Sequence, residues 1–323
     1  MTEMTMVEAL NSALDVEMKR DRRVVLLGED IGVNGGVFRV TDKLIDKYPD
    51  RVLDTPLAEA AIVGCAVGMA INGLRPVAEC QFSGFIYPAF QEIVSHMARM
   101  RNRSRGTYTC PMVLRAPYSG GIRALEHHSE SMEALYAHIQ GLKVVIPSSP
   151  REAKGLLIAS IRDPDPVLFL EPKKIYRAFK EDVPDGDFVI EVGKANVVQE
   201  GSDVTVVSWG AMLHPTLKAV KNMSGISCEV IDVRTISPLD SACIIKSVMK
   251  TGRCIIVQEA PRSFGVASEI IAQINDKALL YLKAPITRVT GFDVPFPYYK
   301  LEDMYLPNEV DIAHAIKTTV EFR

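Results

Sequence analysis

No two cysteines in this sequence are separated by only two residues. The six that occur, Cys65, Cys80, Cys110, Cys228, Cys243 and Cys254, are scattered. Zinc sites and disulfide frameworks need closer, repeated spacing, so these thiols are expected to be reduced and mostly in the core. A surplus of one charge is also missing. Lys and Arg number 37 against 40 Asp and Glu, a net charge of −3. That balance argues against binding a phosphate backbone, and nucleic acid is excluded as a partner. Long apolar runs are missing too. The longest, Ala60 to Ile71, contains two glycines and falls short of the roughly 20 residues of a membrane span. Met1-Thr2-Glu3-Met4-Thr5 shows no basic segment leading into an apolar one. The expectation is a cytoplasmic chain with no signal peptide and no membrane contact. Finally, GxxxxGK[ST], GxGxxG and HExxH are all absent. The glycines at Gly28, Gly32, Gly35 and Gly36 have the wrong spacing, and Glu29 and Asp30 stand where a phosphate would sit.

What is present is an alternation. The chain has 323 residues, 47% of them apolar, enough for about two domains. Short β-branched runs read as buried strands: Val24–Leu27, Met112–Leu114, Lys143–Ile146, Val167–Leu170, Val204–Val207, Cys228–Ile231 and Cys254–Val257. Runs apolar on both faces suit a parallel sheet covered by helices. Helix starts fall between them. Thr5 and Glu8 form a capping-box pattern. Thr55-Pro56 and Ser149-Pro150 each pair a capping side chain with a proline at the first helical position. The fold class is α/β, in a doubly wound, parallel-sheet arrangement. The charged stretch Lys180 to Gly193, with Pro184 and Gly186, marks a boundary and gives units 1–185 and 186–323.

Three segments could carry chemistry. Asp54-Thr55-Pro56-Leu57-Ala58-Glu59 ends a strand and opens an almost wholly apolar helix. Such a helix is expected to be buried all round, with Gly64 and Gly68 allowing a second helix close approach. Glu59 suits its dipole, but a carboxylate there without a partner carries a desolvation cost. Residues 79–90 place aromatics, Phe85 among them, just after a strand, where open α/β sheets bind ligands. Residues 118–131 place His127 and His128 after a glycine-bearing loop, a pattern suited to proton transfer rather than metal binding. The arginines at 99, 101, 103 and 105 read as a helix C-terminus or a subunit contact.

Taken together, DTPLAE, AECQFSGFIYPAF, HHSES, GLKVVIPSSPREAKGLL and RDPDPVLFLEPKKIYR, followed by WGAMLH, IDVRTISPLD, TGRCIIVQEAPRSFG and APITRV, resemble the beta subunit of the decarboxylating component of 2-oxo acid dehydrogenase complexes. The likeness spans essentially the whole chain. It implies a transketolase-like fold with a pyrimidine-binding domain and a transketolase-type C-terminal domain. It implies thiamine diphosphate as cofactor. Glu59 matches the carboxylate that hydrogen-bonds the aminopyrimidine ring nitrogen, and Phe85 the aromatic packed on that ring. His128 matches the active-site histidine of the HSxS pattern, with His127 a more peripheral neighbour. Met112, Ser160, Ile161, Asp163 and Asp165 match positions that hold a monovalent cation, K⁺, in some relatives; a capped turn is the plainer alternative. Arg123 stands where several relatives have a histidine, which leaves the substrate pocket open.

The Gly-Asp-Gly motif with following asparagines, usual for the diphosphate and Mg²⁺, is missing; Asp185-Gly186-Asp187 lacks the asparagines. The resemblance assigns that half to a separate alpha subunit, in a heterotetramer of two alpha and two beta chains docked on a dihydrolipoyl acyltransferase core with its lipoyl domain. The implied reaction is oxidative decarboxylation of a 2-oxo acid with acyl transfer to lipoyl-lysine. The substrate is a branched-chain 2-oxo acid or pyruvate, with FIYPAF leaning slightly to the former. Acetoin dehydrogenase and a non-catalytic scaffold between the alpha chain and the core are the alternatives.

Overall fold

A computed structural model describes residues 1–322. Its largest sheet has seven strands, in the order Thr235–Ser237, Lys143–Val145, Val167–Pro172, Val113–Tyr118, Arg75–Glu79, Val24–Gly28 and Val52–Asp54. All run parallel except Thr235–Ser237, which is antiparallel at one edge. A five-stranded sheet follows the order Thr287–Gly291, Cys254–Pro261, Val204–Ser208, Cys228–Asp232 and Asn196–Gln199, the last of these antiparallel. Thr2–Met4 pairs with Glu181–Val183 and ties the chain start to the end of the first unit. The central strands are buried along their whole length, as apolar parallel strands covered on both faces must be. Thr235–Ser237 comes from beyond residue 186 yet completes the first sheet. The two units therefore interlock.

Two of the three helix starts form where the capping residues place them. Helix Met6–Arg20 begins with a complete capping box: the Thr5 N–H donates to Glu8 Oε2 at 2.7 Å, and the Glu8 N–H donates to the Thr5 hydroxyl at 3.4 Å. Helix Pro150–Arg162 begins after Ser149, which accepts from the Glu152 N–H. The third start needs correction. Thr55 does not cap a helix, and Pro56 is not its first residue. The helix is Glu59–Ile71, with Ala58 at its cap and no side-chain cap bond. The Thr55 N–H instead donates to the Gly28 carbonyl at 3.0 Å. That bond prolongs the sheet edge by one residue and delays the helix.

Within this chain the helix is buried on one face and open on the other. Ile62, Val63, Ala66, Val67 and Ala70 face the core, whereas Ala61, Cys65 and Gly68 are exposed. A Cβ at Gly68 would meet nothing within 4 Å, whereas one at Gly64 would touch Glu92 Cγ at 3.7 Å. Of the cysteines, Cys80, Cys110, Cys228 and Cys254 are buried, and all six are free. No helix among the described residues is long and apolar enough to cross a membrane.

A buried ion triad joins three neighbouring strands of the first sheet. Arg115, on the middle strand, donates through Nη1 to Glu79 Oε2 at 2.7 Å. It also donates through Nε and Nη2 to both oxygens of Glu171, at 2.7 and 3.0 Å. The Tyr176 hydroxyl donates to Glu171 Oε2 at 2.6 Å. Burial works against the charge of Arg115, but Glu171 and Glu79 outweigh it and keep the guanidinium protonated. Arg115→Met leaves two buried carboxylates without their cation, which should cost roughly 3–5 kcal/mol. Urea unfolding of the purified protein measures it; a loss under about 1 kcal/mol would mean that water or a proton replaces the arginine at little cost.

Candidate functional site

In an open parallel sheet, ligands gather beyond the carboxyl ends of the strands. Here those ends release residues 29–36, 55–59, 80–90, 119–131 and 173–176. Glu59, the first residue of its helix, is half-buried. Glu29 lies close enough to feel its charge. Burial raises the Glu29 carboxyl, and Asp30 and Glu59 raise it further. Three carboxylates thus share one mouth of the sheet.

Helix Glu59–Ile71 packs against the turn Ser83–Ala89, which carries Phe85 and in turn packs on the short turn Glu126–His128. The His128 ring sits edge-on to two phenylalanines, with centroids 4.3 Å from Phe82 and 5.0 Å from Phe85. Phe82 and Phe85 are 5.4 Å apart, and Phe38 backs Phe82 at 5.6 Å. Gly84 makes this approach possible, because a Cβ there would collide with the His127 carbonyl. Burial lowers the His128 pKa below the ordinary 6.5, and Lys173 and His127 push the same way. The ring is therefore neutral at pH 7, able to donate from one nitrogen and accept at the other.

His127 points outward. Its ring is 3.8 Å from the Glu130 carboxylate, which accepts from the Tyr87 hydroxyl at 2.9 Å. Arg123 is also outside the pocket. Its guanidinium pairs with Asp303 at 2.8 Å on the surface, so it does not stand in for an imidazole among the aromatics.

Lys173 went unnoticed in the sequence. It is buried, donates to the Ser119 carbonyl and stands 5.8 Å over the Phe82 ring. Burial brings its pKa down to about 7 against the pull of Glu259 and Glu302. Phe82 carries no local signal of its own either, and Glu29 is marked in the sequence only as an acid unsuited to a phosphate. The usable signal was position, since each follows the carboxyl end of a buried strand.

The proposed cation positions gather at the opposite end of the sheet. There the Ile161 and Asp163 carbonyls accept from Arg75 at 2.8 and 3.2 Å. The Asp163 carboxylate binds Lys143 at 2.5 Å and accepts from the Asp165 N–H at 2.9 Å. Arg101 holds Asp165 at 2.6 Å, and the Met112 carbonyl accepts from Val167 at 3.0 Å. The Ser160 hydroxyl donates to the Leu156 carbonyl at 2.7 Å. Three cationic side chains thus engage oxygens of Ile161, Asp163 and Asp165, and the arrangement fits a capped helix end. A cavity of about 720 Å³ lined by Arg101, Lys143 and Asp165 lies on this side and contains none of the aromatic-site groups. Among the described residues, no three His, Cys, Asp or Glu side chains are placed to hold a metal ion.

The aromatic site is polar but incomplete. His128 Nδ1, Glu126 Oε2 and the hydroxyls of Ser83, Ser119 and Ser129 are buried with no hydrogen-bond partner. Each unpaired group costs about 1–3 kcal/mol. Five around one turn point to a bound polar group that completes them.

Residues 2–178 match the family model described as "Transketolase, pyrimidine binding domain", and residues 193–312 match "Transketolase, C-terminal domain". The chain is 55% identical to a protein of Acholeplasma laidlawii named pyruvate dehydrogenase E1 component subunit beta, over 99% of this chain and 98% of that protein. It is 50% identical to the Bacillus subtilis protein of the same name, over the full length of both. A solved structure titled "Split gene transketolase, inactive beta4 tetramer" superposes with a TM-score of 0.81, covering 99% of each chain at 22% identity; that likeness is one of fold. The fold is transketolase-like, and the chain belongs to the family of beta subunits of the 2-oxo acid dehydrogenase E1 component.

Proposed function

We propose that this chain supplies the aminopyrimidine half of a thiamine diphosphate site for the oxidative decarboxylation of a 2-oxo acid, with pyruvate as the preferred substrate. The carrying observation is the placement of a half-buried Glu59, the Phe82–Phe85 pair and a neutral His128 on packed neighbouring elements at one end of the sheet. When bound, the cofactor supplies a nucleophilic carbon and an electron sink for the decarboxylation. Glu59 would hydrogen-bond the pyrimidine ring nitrogen from the first residue of its helix. Phe85 packs on the ring face. His128 exchanges a proton with the substrate oxygen or orients the acyl group for transfer to lipoyl-lysine of the acyltransferase. The names of the relatives at 55% and 50% identity favour pyruvate over the branched-chain acids.

The diphosphate and its Mg²⁺ belong to an alpha subunit in this reading. Glu29, Asp30 and Glu59 make the sheet mouth of this chain repel a phosphate. The assembly follows as two alpha and two beta chains on an acyltransferase core.

Glu59→Ala should lower decarboxylation by about 10²-fold or more with the alpha–beta complex intact by sedimentation; near-normal turnover would sink the assignment. His128→Ala should slow reductive acylation of the lipoyl domain by about 10²-fold. In the wild type, the acid limb of that step should lie below pH 6.5, because burial lowers the imidazole pKa and the neutral form persists to lower pH. An unchanged acylation rate removes His128 from the mechanism. Calorimetric titration of thiamine diphosphate with Mg²⁺ should show binding to the alpha–beta complex and none to this chain alone. Pyruvate should then exceed 3-methyl-2-oxobutanoate in kcat/KM; the reverse order would restore the branched-chain reading, and tight binding to the isolated chain would end the split-site one.

A further inference from the structure

The turn that carries His128 belongs to the first unit, yet its ends are held from the second. The chain leaves strand Val113–Tyr118 through Ser119, at φ +70°, a left-handed conformation uncommon for a residue with a side chain. At Gly120 the backbone N–H donates to Glu259 Oε1 at 2.5 Å. The same oxygen accepts from the Ser131 hydroxyl at 3.2 Å. Residues 120 and 131 bracket the whole segment that contains both histidines, so one carboxylate oxygen closes it into a loop. A Cβ at residue 120 would lie 2.5 Å from Phe296 Cζ, so any larger residue there would have to displace that ring. Two further ties act between these ends. The Arg123 N–H donates to the buried Glu302 carboxylate at 3.1 and 3.2 Å, and Lys173 donates to the Ser119 carbonyl.

We infer that Glu259 is a positioning residue for His128, a carboxylate of the C-terminal unit that closes the histidine loop and so sets the imidazole against Phe82 and Phe85. The inference rests on the role given to His128 above. Glu259 lies on strand Cys254–Pro261 and is 4% exposed. A carboxylate that deep is costly unless it is hydrogen-bonded, and it accepts from the two groups of this loop. Between its ends the loop has little regular structure, since Glu126 to His128 form only a short turn, so its position depends on ties such as these. Without Glu259 the imidazole samples positions away from the reacting centre, which costs rate rather than substrate binding.

The test uses Glu259→Ala and Glu259→Gln in the assembled alpha–beta complex. Hydrogen exchange of the peptide spanning 119–131 should rise about tenfold in the alanine variant. Its kcat for decarboxylation with lipoyl acylation should fall about tenfold or more, with KM for the 2-oxo acid within about twofold. Glutamine keeps an oxygen that accepts from both donors, so Glu259→Gln should restore most of the protection and most of kcat. Unchanged exchange in the alanine variant, faster exchange without loss of kcat, or a glutamine variant as impaired as alanine would each overturn the inference. If Glu259→Ala does not assemble, Ser131→Ala removes one of the two bonds and should raise exchange across the loop; no rise would overturn it equally. The exchange measurement needs no turnover, so a wild-type complex that decarboxylates nothing would refute the proposed function while leaving the clamp decided on its own terms.

Discussion

Everything at the working end of the first sheet depends on Arg115. It sits on the central strand Val113–Tyr118, with Glu79 on one neighbouring strand and Glu171 on the other. Five residues or fewer separate each member of the triad from a segment of the site: Glu79 from Phe82, Arg115 from Ser119 and Gly120, Glu171 from Lys173. Parallel strands slide less readily when a buried bidentate arginine bridges them, because any register slip leaves a charge unpaired in a dry interior. The triad therefore fixes the relative height of three loops. The aromatic pair, the histidine turn and the buried lysine meet at a common level for that reason.

Above that level the control passes to the second unit. The two sheets are interlocked by Thr235–Ser237, which completes the first from the far side of the boundary. The carboxylates of Glu259 and Glu302 cross the junction to grip the loop backbone. The histidine lies in a turn with little structure of its own. Its precision comes from anchors at both ends and from Gly84, which lets the His127 carbonyl settle against the aromatic turn. A side chain on a tethered loop stays adjustable while the tethers limit where it can go.

Which features were legible in the sequence follows from the range of the interactions. Capping by Thr5 and Ser149 is a matter of three residues, and both helices begin where the pattern says. The apolar runs found their strands for the same reason. Thr55-Pro56 carries the same kind of signal and misleads, because a bond from Thr55 to Gly28 competes with the cap, and that partner is 27 residues away. The small-residue helix at Glu59 shows one exposed face that hydropathy alone cannot distinguish from a buried one. Glu259 is 139 residues from Gly120 and sits in a strand whose apolar pattern gives no hint of a functional carboxylate. Glu59, Phe85 and His128 lie in compact motifs, which is what made them legible as candidates. Lys173 and Glu259 act across the fold, and no local period encodes them.

The electrostatics of the mouth explain why one chain would not suffice. Glu29, Asp30 and Glu59 gather where the central strands end. Such a surface favours a ring nitrogen that can share a proton, and it repels a diphosphate. The nearest buried cation, Lys173, is spent on the Ser119 carbonyl and the aromatic wall. A cofactor with a basic heterocycle at one end and a diphosphate at the other is best served by opposite fields at its two ends. In the proposed split site, a second chain with backbone N–H groups and a divalent ion would supply the missing field. The exposed stripe Ala61, Cys65 and Gly68 flanks the carboxylate mouth on the same helix as Glu59. A partner seated against that stripe would bring its own positive end within reach of the site, so the separation of the two halves of the cofactor follows from the charge each chain can afford to bury.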